Sequence, residues 1–294
     1  MTPQTYIETL PGSIVWNGTF SRRRVSWTQR GISNTKRYMP LHLNVIDTKS
    51  LGATGATVQD MAGGVKIGGM FLADKAIIRT SWLLPSIVVP ASMLIHMGLG
   101  NSRDFPFFIS EADFPGLERW IFTLGLAVSG LVQMLFAYRM WREYQKVKPS
   151  KLLTISLICG LFTGSNLFVM SFANMYDHLM LHIITASMVF QVGMVWAVIS
   201  HLAIPSANPR GKRIRRLSIL VSGASYFVMN QAIVKAVNGL DEYGLEDDTI
   251  FTLERIQDSI AVAAYAEYAL FVGLILCLYS FEQDFLSLSE SVKE

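Results

Sequence analysis

Residues 152–174 read LLTISLICGLFTGSNLFVMSFAN, an apolar run without Asp, Glu, Lys or Arg. A helix rises about 1.5 Å per residue, so a run of this length spans the roughly 30 Å hydrocarbon core of a bilayer. Residues 179–203 form a second apolar run without these charges, a few positions further along the chain. The two runs predict a pair of membrane-spanning helices.

The whole 294-residue chain follows the same pattern, with 51% hydrophobic and only 16% charged residues. Soluble domains carry about a quarter charged residues. The sequence therefore predicts an all-α fold, a six-helix transmembrane bundle with a flexible N-terminal cytosolic arm. The predicted spans are about 78–99, 117–140, 152–174, 179–203, 216–237 and 259–281. The fifth span is the weakest, because Asn230, Gln231 and Lys235 interrupt it.

Three regions follow from this assignment. Residues 1–75 are basic and polar, and we expect a largely unstructured arm with short structured pieces. Residues 76–285 form the membrane domain, and residues 286–294 form a short cytosolic tail. The first 14 residues have no apolar core of a secretory signal, so the first span is expected to act as an uncleaved anchor. The net charge of +3 is too small to indicate a nucleic-acid partner.

The charges between the spans predict an orientation, because Lys and Arg are retained on the cytosolic side. Basic residues dominate the arm and the connections after the second and fourth spans, whereas acidic residues dominate the other three connections. This alternation requires an even number of spans and predicts that both termini are cytosolic. The Asn17-Gly18-Thr19 sequon would then stay unglycosylated.

Ionisable groups inside spans are costly, so each one needs an explanation. Glu267 lies within the sixth span. It is either a proton or ligand site, or a carboxyl that ties helices together. His178 and His182 are spaced i, i+4, which would place both rings on one helix face. They are weak candidates for a metal site, and interfacial hydrogen bonding is the alternative.

No nucleophile elbow, phosphate loop or kinase set is present, so no catalytic residue, cofactor or bound metal is predicted. Cys159 and Cys277 lie in apolar runs and are expected to be packed thiols. A block of basic residues before the fifth span either attracts anionic lipid headgroups or only sets topology. Its members are Arg210, Lys212, Arg213, Arg215 and Arg216.

Three further stretches stand in a fixed order along the chain. The connection after the first span reads Pro106-Phe107-Phe108-Ile109-Ser110-Glu111, and Pro115 and Glu118 follow it. The fourth span carries His182, Ala186, Phe190 and Gly193. The sixth span carries Glu267-Tyr268, with Asp284-Phe285 just beyond it.

Together these stretches resemble the motifs of the Frag/DRAM/Sfk family of six-span membrane proteins, over about residues 78–287. The chain departs from the pattern in an early proline, in Tyr268 where Trp is commoner, and in its long arm. The resemblance implies a set of functional candidates: Ser110, Glu111, Glu118, His182, Glu267 and Asp284. It also implies a place in lysosomal or endosomal membranes, the Golgi or the plasma membrane.

Three functions stay open. The first is a non-enzymatic membrane regulator or scaffold of the DRAM-like type, acting in autophagy or phosphoinositide-linked processes through cytosolic protein partners and anionic lipids. The alternative is a lipid or GPI-anchor remodelling enzyme or cofactor, with a His/Glu site in the outer leaflet. A transporter or channel is the least favoured, because so few intramembrane charges are available to line a path.

Overall fold

A computed structural model describes residues 63–204, 208–243 and 257–291 of the chain. Most of the predicted N-terminal arm, residues 1–62, lies outside this description. The described part consists almost entirely of helices, joined by short connections and preceded by one β-hairpin.

Six helices are long and apolar enough to cross a membrane. They are α1 (Asp74–Gly98), α2 (Leu117–Val147), α3 (Lys151–Phe172), α4 (Leu179–Ala203), α5 (Pro209–Tyr243) and α6 (Gln257–Ser291). Large apolar side chains such as Leu124, Ile158 and Leu220 are exposed on the outside of the bundle. An apolar surface of this extent is stable in contact with the hydrocarbon of a bilayer and unstable in contact with water. The predicted six-helix transmembrane bundle is confirmed, and the protein is an integral membrane protein.

A short hairpin precedes α1. Strand β1 (Gly64–Ile67) pairs antiparallel with β2 (Met70–Ala73). Gly68 and Gly69 have φ values of 55° and 87°, which a two-residue turn of the mirror-image type requires. The end of the region predicted as an arm therefore contains a structured piece that leads directly into the first helix.

Several helices extend beyond the predicted spans. α2 continues to Val147 rather than ending near residue 140, and α5 begins at Pro209 rather than near residue 216. The added turns are rich in Lys and Arg, whose long stems allow the charged groups to reach the interface. Proline suits the first position of α5, because the amide hydrogen it lacks has no partner within a helix there.

Alternate connections lie at opposite ends of the bundle. We name the end with residues 99–116 and 173–178 the loop end, and the other the hairpin end. At the hairpin end, Arg139 donates to both carboxylate oxygens of Asp74 at 2.6 and 2.8 Å, which joins α2 to the start of α1. Arg79 likewise donates to Glu282 at 2.5 Å and joins α1 to α6.

The helices follow one another around the bundle, and the last closes on the first. α1 packs on α2, α2 on α3 and α3 on α4, while α5 packs along α6 and α6 also contacts α1. α2 and α3 come especially close, because a Cβ added at Gly130 would lie 2.7 Å from the carbonyl oxygen of Gly164. By contrast, α4 makes few contacts with α5 and fewer still with α6.

Candidate functional site

A cavity of about 110 Å³ lies inside the bundle. Its wall is formed by five of the six helices together with the short 3-10 helix Ile109–Ala112. Most of the lining is apolar, and Phe122, Leu126, Met170 and Phe271 are typical members. The polar side chains in the wall are Ser81, Ser110, Ser129, Gln133, Thr163, His182 and Glu267. Three residues singled out from sequence, Ser110, His182 and Glu267, thus meet at one cavity.

Glu267 lies on α6 and is buried. The backbone amide of Ile109 donates a hydrogen bond to its Oε2 atom at 2.7 Å. The carboxyl group therefore ties the 3-10 helix to α6, and it also borders the cavity. Both interpretations of this intramembrane carboxyl, helix tie and ligand-facing group, are compatible with its position.

His182 lies in the first turn of α4, with its ring buried at the cavity wall. Its Nδ1 atom is 2.7 Å from the carbonyl oxygen of Ala173. Since a carbonyl only accepts, Nδ1 carries the hydrogen, and Nε2 of the neutral ring is left as an acceptor. His182 can therefore accept a hydrogen bond from a ligand hydroxyl or amide in the cavity.

His178 does not share this position. α4 begins at Leu179, and His178 precedes it with φ −136° and ψ 43° and is exposed. The two histidines thus lie in different surroundings, one exposed and one buried, although the His182 amide still donates to the His178 carbonyl at 2.9 Å. That their rings share one helix face stays a prediction. Among the residues that the structure describes, no group of three or more His, Cys, Asp or Glu is arranged to hold a metal ion.

Glu111 fixes the connection between α1 and α2. Arg103 donates to its two carboxylate oxygens at 2.8 Å each, and both side chains are buried. The Phe108 amide also donates to Oε1 at 2.7 Å, and the Tyr176 hydroxyl donates to the backbone carbonyl of Glu111 at 2.8 Å. Glu111 is thus a structural anchor in this geometry.

The same connection is bound to α6. The Tyr268 hydroxyl donates to the carbonyl oxygen of Phe107, and the Gln257 amide donates to the carbonyl oxygens of Asp104 and Pro106 at 2.8 and 3.1 Å. We name residues 99–116 the loop-end cap. The cap is held by side chains of α6 and by its own buried ion pair, and its residues Ile109 and Ser110 form part of the cavity wall.

Two more carboxyl groups are buried at the loop end, Asp113 within the cap and Glu118 in the first turn of α2. Glu118 is fully buried and accepts from Asn101 at 2.8 Å, with the ring of His96 at 3.4 Å. Asp113 is also fully buried, and burial raises the pKa of its carboxyl to about 7 against the opposing effects of Arg119 and Thr123. Burial likewise raises the pKa of the Tyr176 phenol.

Asp284 lies at the hairpin end, away from the cap. It accepts from the guanidinium of Arg215 and from the backbone amide of Asn208, the latter at 2.7 Å. Arg215 also donates to Ser280 at 3.0 Å, and its guanidinium carbon is 3.8 Å from the centre of the Phe281 ring. The motif aspartate therefore joins the start of α5 to α6.

This pairing changes the set of lipid-headgroup candidates. Arg215 is fully buried, because its charge is neutralised by Asp284 inside the bundle. It is thus not available to a lipid surface. The other four basic residues of the block, Arg210, Lys212, Arg213 and Arg216, are exposed on α5.

The polar residues of the cavity wall that were not predicted are Ser81, Ser129, Gln133, Thr163 and Trp196. Gln133 is buried in the middle of α2, and Trp196 of α4 has a buried Nε1–H without a hydrogen-bond partner among the described residues. A glutamine inside an apolar run is a signal that sequence alone offers. The polar residues that were noted in the fifth span, Asn230, Gln231 and Lys235, do not line the cavity.

The fold and cavity define a six-helix integral membrane protein with a capped internal cavity. Residues 93–288, about two thirds of the chain, match the family described as the Frag1/DRAM/Sfk1/Cwh43P N-terminal domain. The chain belongs to this family, as the sequence motifs predicted. No curated protein and no solved structure matches the chain.

Proposed function

We propose that this protein is a non-enzymatic membrane regulator that binds a segment of one lipid acyl chain in its internal cavity. The observation that carries the proposal is the apolar cavity whose wall includes Ser110, His182 and Glu267. An apolar wall favours hydrocarbon, and the few polar groups would orient a hydroxyl, ester or amide at one end of it.

The volume of the cavity limits the size of the ligand that it can hold. Engineered protein cavities of about 150 Å³ bind benzene. A cavity of about 110 Å³ therefore holds a segment of a single chain, not both chains of a phospholipid. The acceptor nitrogen of His182 and the amide of Gln133 are the groups that would contact a polar part of this ligand.

The bonding of the motif residues supports a regulator over an enzyme. Glu111 and Asp284 are bound in buried ion pairs, and Glu118 accepts from Asn101. His182 and Glu267 each bond to a backbone group of the fold. The bonds of these residues hold the helices and the loop-end cap in a defined arrangement, as a ligand-responsive scaffold requires.

We further propose an orientation of the protein in the membrane and the membranes in which it acts. Both termini lie in the cytosol, and the exposed residues Arg210, Lys212, Arg213 and Arg216 face the anionic leaflet. Each basic group near such a surface adds about 1 kcal/mol to lipid binding. Cytosolic protein partners bind the arm and this basic face, in endomembranes of the autophagic and lysosomal system or in phosphoinositide-linked processes at the plasma membrane.

The test uses full-length protein in phosphatidylcholine vesicles that contain a phosphatidylcholine with a diazirine on one acyl chain. Irradiation should label Phe122 and Leu126, which line the cavity and are almost fully buried, at 1% and 4% exposure. Peptide mass spectrometry identifies the labelled residues.

A matched pair of variants separates the cavity from the bilayer surface. Gly193 lines the cavity, whereas Gly223 is exposed on α5 with open space around it. Gly193→Leu should fill the cavity and abolish labelling of Leu126, and Gly223→Leu should leave it unchanged. Equal labelling of Leu126 in both variants would rule out the cavity as the binding site.

A second candidate function is lipid remodelling, either as the enzyme or as its cofactor. The specific observation in its favour is that a serine, a histidine and a carboxyl group border the same cavity: Ser110, His182 and Glu267. His182→Ala should then change the lipid profile of cells that express the protein. A profile identical to that of the wild type, with the variant folded and correctly located, would exclude this function.

A further inference from the structure

The helices of the bundle pack most loosely between α4 and the α5–α6 pair. α4 is packed along α3 on its other side, and α5 and α6 are packed along each other. Contacts from α4 to α5 and α6 are sparse. Both α4 and α6 line the cavity, so this seam forms part of the cavity wall on that side.

Apolar side chains close the seam. Phe190 of α4 lines the cavity and also packs against a cluster formed by α5 and α6, whose buried members are Met229, Ala263, Ala266 and Leu270. Met194, one turn further along α4, packs against the same cluster. Phe190 is only half-buried and lies between the cavity and this cluster.

Two exposed polar bonds cross the seam, and one of them, at the hairpin end, runs from Arg216 of α5 to the ring of His201 on α4 at 3.4 Å. In the other, the Gln191 amide on α4 donates to the Tyr226 hydroxyl on α5 at 2.5 Å, and the pair is exposed. An amide facing hydrocarbon is costly without a partner, so this bond holds α4 against α5. Such interhelical bonds are individually modest in strength, which allows the seam to open.

The alternative way into the cavity, from the loop end, is closed more firmly. The loop-end cap is bound to α6 through Glu267 and Tyr268 and is held internally by the buried Arg103–Glu111 pair. Breaking it would expose buried charges, whereas opening the seam breaks two exposed hydrogen bonds and apolar contacts that lipid can replace.

We propose that the seam between α4 and the α5–α6 pair is a lateral portal through which a segment of one acyl chain of a bilayer phospholipid enters the cavity. Gln191 and Tyr226 act as its clasp, and Phe190 acts as its plug. The inference rests on the proposed lipid-binding function and adds the route and the source of the ligand, which is the bilayer itself and not the aqueous phase.

The experiment locks the clasp in full-length protein with both native cysteines removed (Cys159→Ala and Cys277→Ala). Gln191→Cys and Tyr226→Cys are joined by a short reducible bis-methanethiosulfonate linker before the protein meets the diazirine phosphatidylcholine vesicles. We expect Phe122 and Leu126 to lose their label when the linker is in place and to regain it after reduction.

The matched control joins a seam that is already tightly packed. Trp141 of α2 donates to Thr154 of α3 at 3.4 Å on the surface. Linking Trp141→Cys to Thr154→Cys should leave labelling unchanged. Undiminished labelling with the clasp locked would overturn the portal alone. No labelling of Phe122 and Leu126 even in the reduced protein would overturn the lipid site and the portal together.

Discussion

Arg103 and Glu111 form a buried ion pair within the loop-end cap. Their side chains are 2% and 3% exposed, so neither charge can be solvated if the other is removed. Arg103→Ala should therefore lower the free energy of unfolding by about 3–5 kcal/mol. Denaturant unfolding in detergent micelles measures this loss.

The control for that change removes both charges. In Arg103→Met/Glu111→Leu no buried charge is left unpaired, so most of the stability lost in Arg103→Ala should return. The Phe108 amide still loses its acceptor in the double variant, which leaves a smaller residual cost. A double variant less stable than Arg103→Ala would contradict a desolvation origin for the loss.

The raised pKa of Asp113 predicts how the free energy of unfolding depends on pH. Burial raises the pKa of its carboxyl from 3.8 to about 7. Between these values the folded protein binds more protons than the unfolded chain, so stability should fall as pH rises from about 4 to about 7. The total change is on the order of a few kcal/mol. Thermal unfolding in detergent over this pH range measures it.

Replacing Asp113 with asparagine isolates the contribution of this carboxyl group to the pH dependence of stability. Asp113→Asn cannot ionise, so it should be more stable than the wild type above about pH 7 and should lose this part of the pH profile. Asp104→Asn changes an exposed carboxyl of the same cap and serves as the control, with the wild-type profile expected. Parallel profiles for the wild type and Asp113→Asn would show that Asp113 is not the titrating group.

The ionisable residues of the cavity stand out in the sequence, whereas residues whose role depends on distant partners do not. Glu267 and His182 stand out because an ionisable group within a span needs an explanation. Arg215 looked like one more basic residue in a topology-setting block. Its burial depends on Asp284, 69 positions later, and that pairing follows only from the way α5 packs on α6.

At the scale of the elements, the number and positions of the helices followed from the lengths of the apolar runs, and their ends did not. Hydropathy identifies the part of a helix that lies in hydrocarbon. It does not mark where the helix ends in the interface, which is why α2 and α6 run past the predicted residues 140 and 281. The hairpin before α1 was also not specified, although Gly68-Gly69 is a turn signal.

The contact between α2 and α3 predicts a contrast between two glycines. A Cβ at Gly130 would lie 2.8 Å from the backbone nitrogen of Phe168, closer than real contacts allow. Gly130→Ala should push the helices apart and cost about 1–3 kcal/mol. Gly223→Ala meets nothing within 4 Å and should be neutral or stabilising by up to about 1 kcal/mol.

Thermal unfolding of the two alanine variants in the same detergent compares them directly. The two changes are chemically identical, so intrinsic helix propensity favours both equally and only the surroundings differ. Equal melting temperatures for the two variants would mean that α2 and α3 are not in close contact at Gly130.

At the scale of the whole molecule, the arrangement of the helices around the cavity could not be predicted from the sequence pattern. Loop lengths make α3 and α4 neighbours, but nothing in the apolar runs shows that α6 returns to α1 or that α4 is only loosely attached to α5. These contacts are decided by side-chain packing over the full set of helices. The cavity and the loosely packed seam follow from that arrangement, so neither could be predicted.

The proposed orientation can be tested on the whole molecule with glycosylation sites, because the acceptor must reach the lumen of the endoplasmic reticulum. Basic residues dominate the hairpin end and acidic residues the connection between α5 and α6, so a sequon inserted within residues 244–256 should be glycosylated in a eukaryotic host. A sequon inserted between α2 and α3 should stay unmodified, as should the native Asn17-Gly18-Thr19. A mobility shift that endoglycosidase removes reports each site. A glycan on Asn17, or on the insert between α2 and α3, would reverse the orientation and place the exposed basic residues of α5 away from the anionic leaflet.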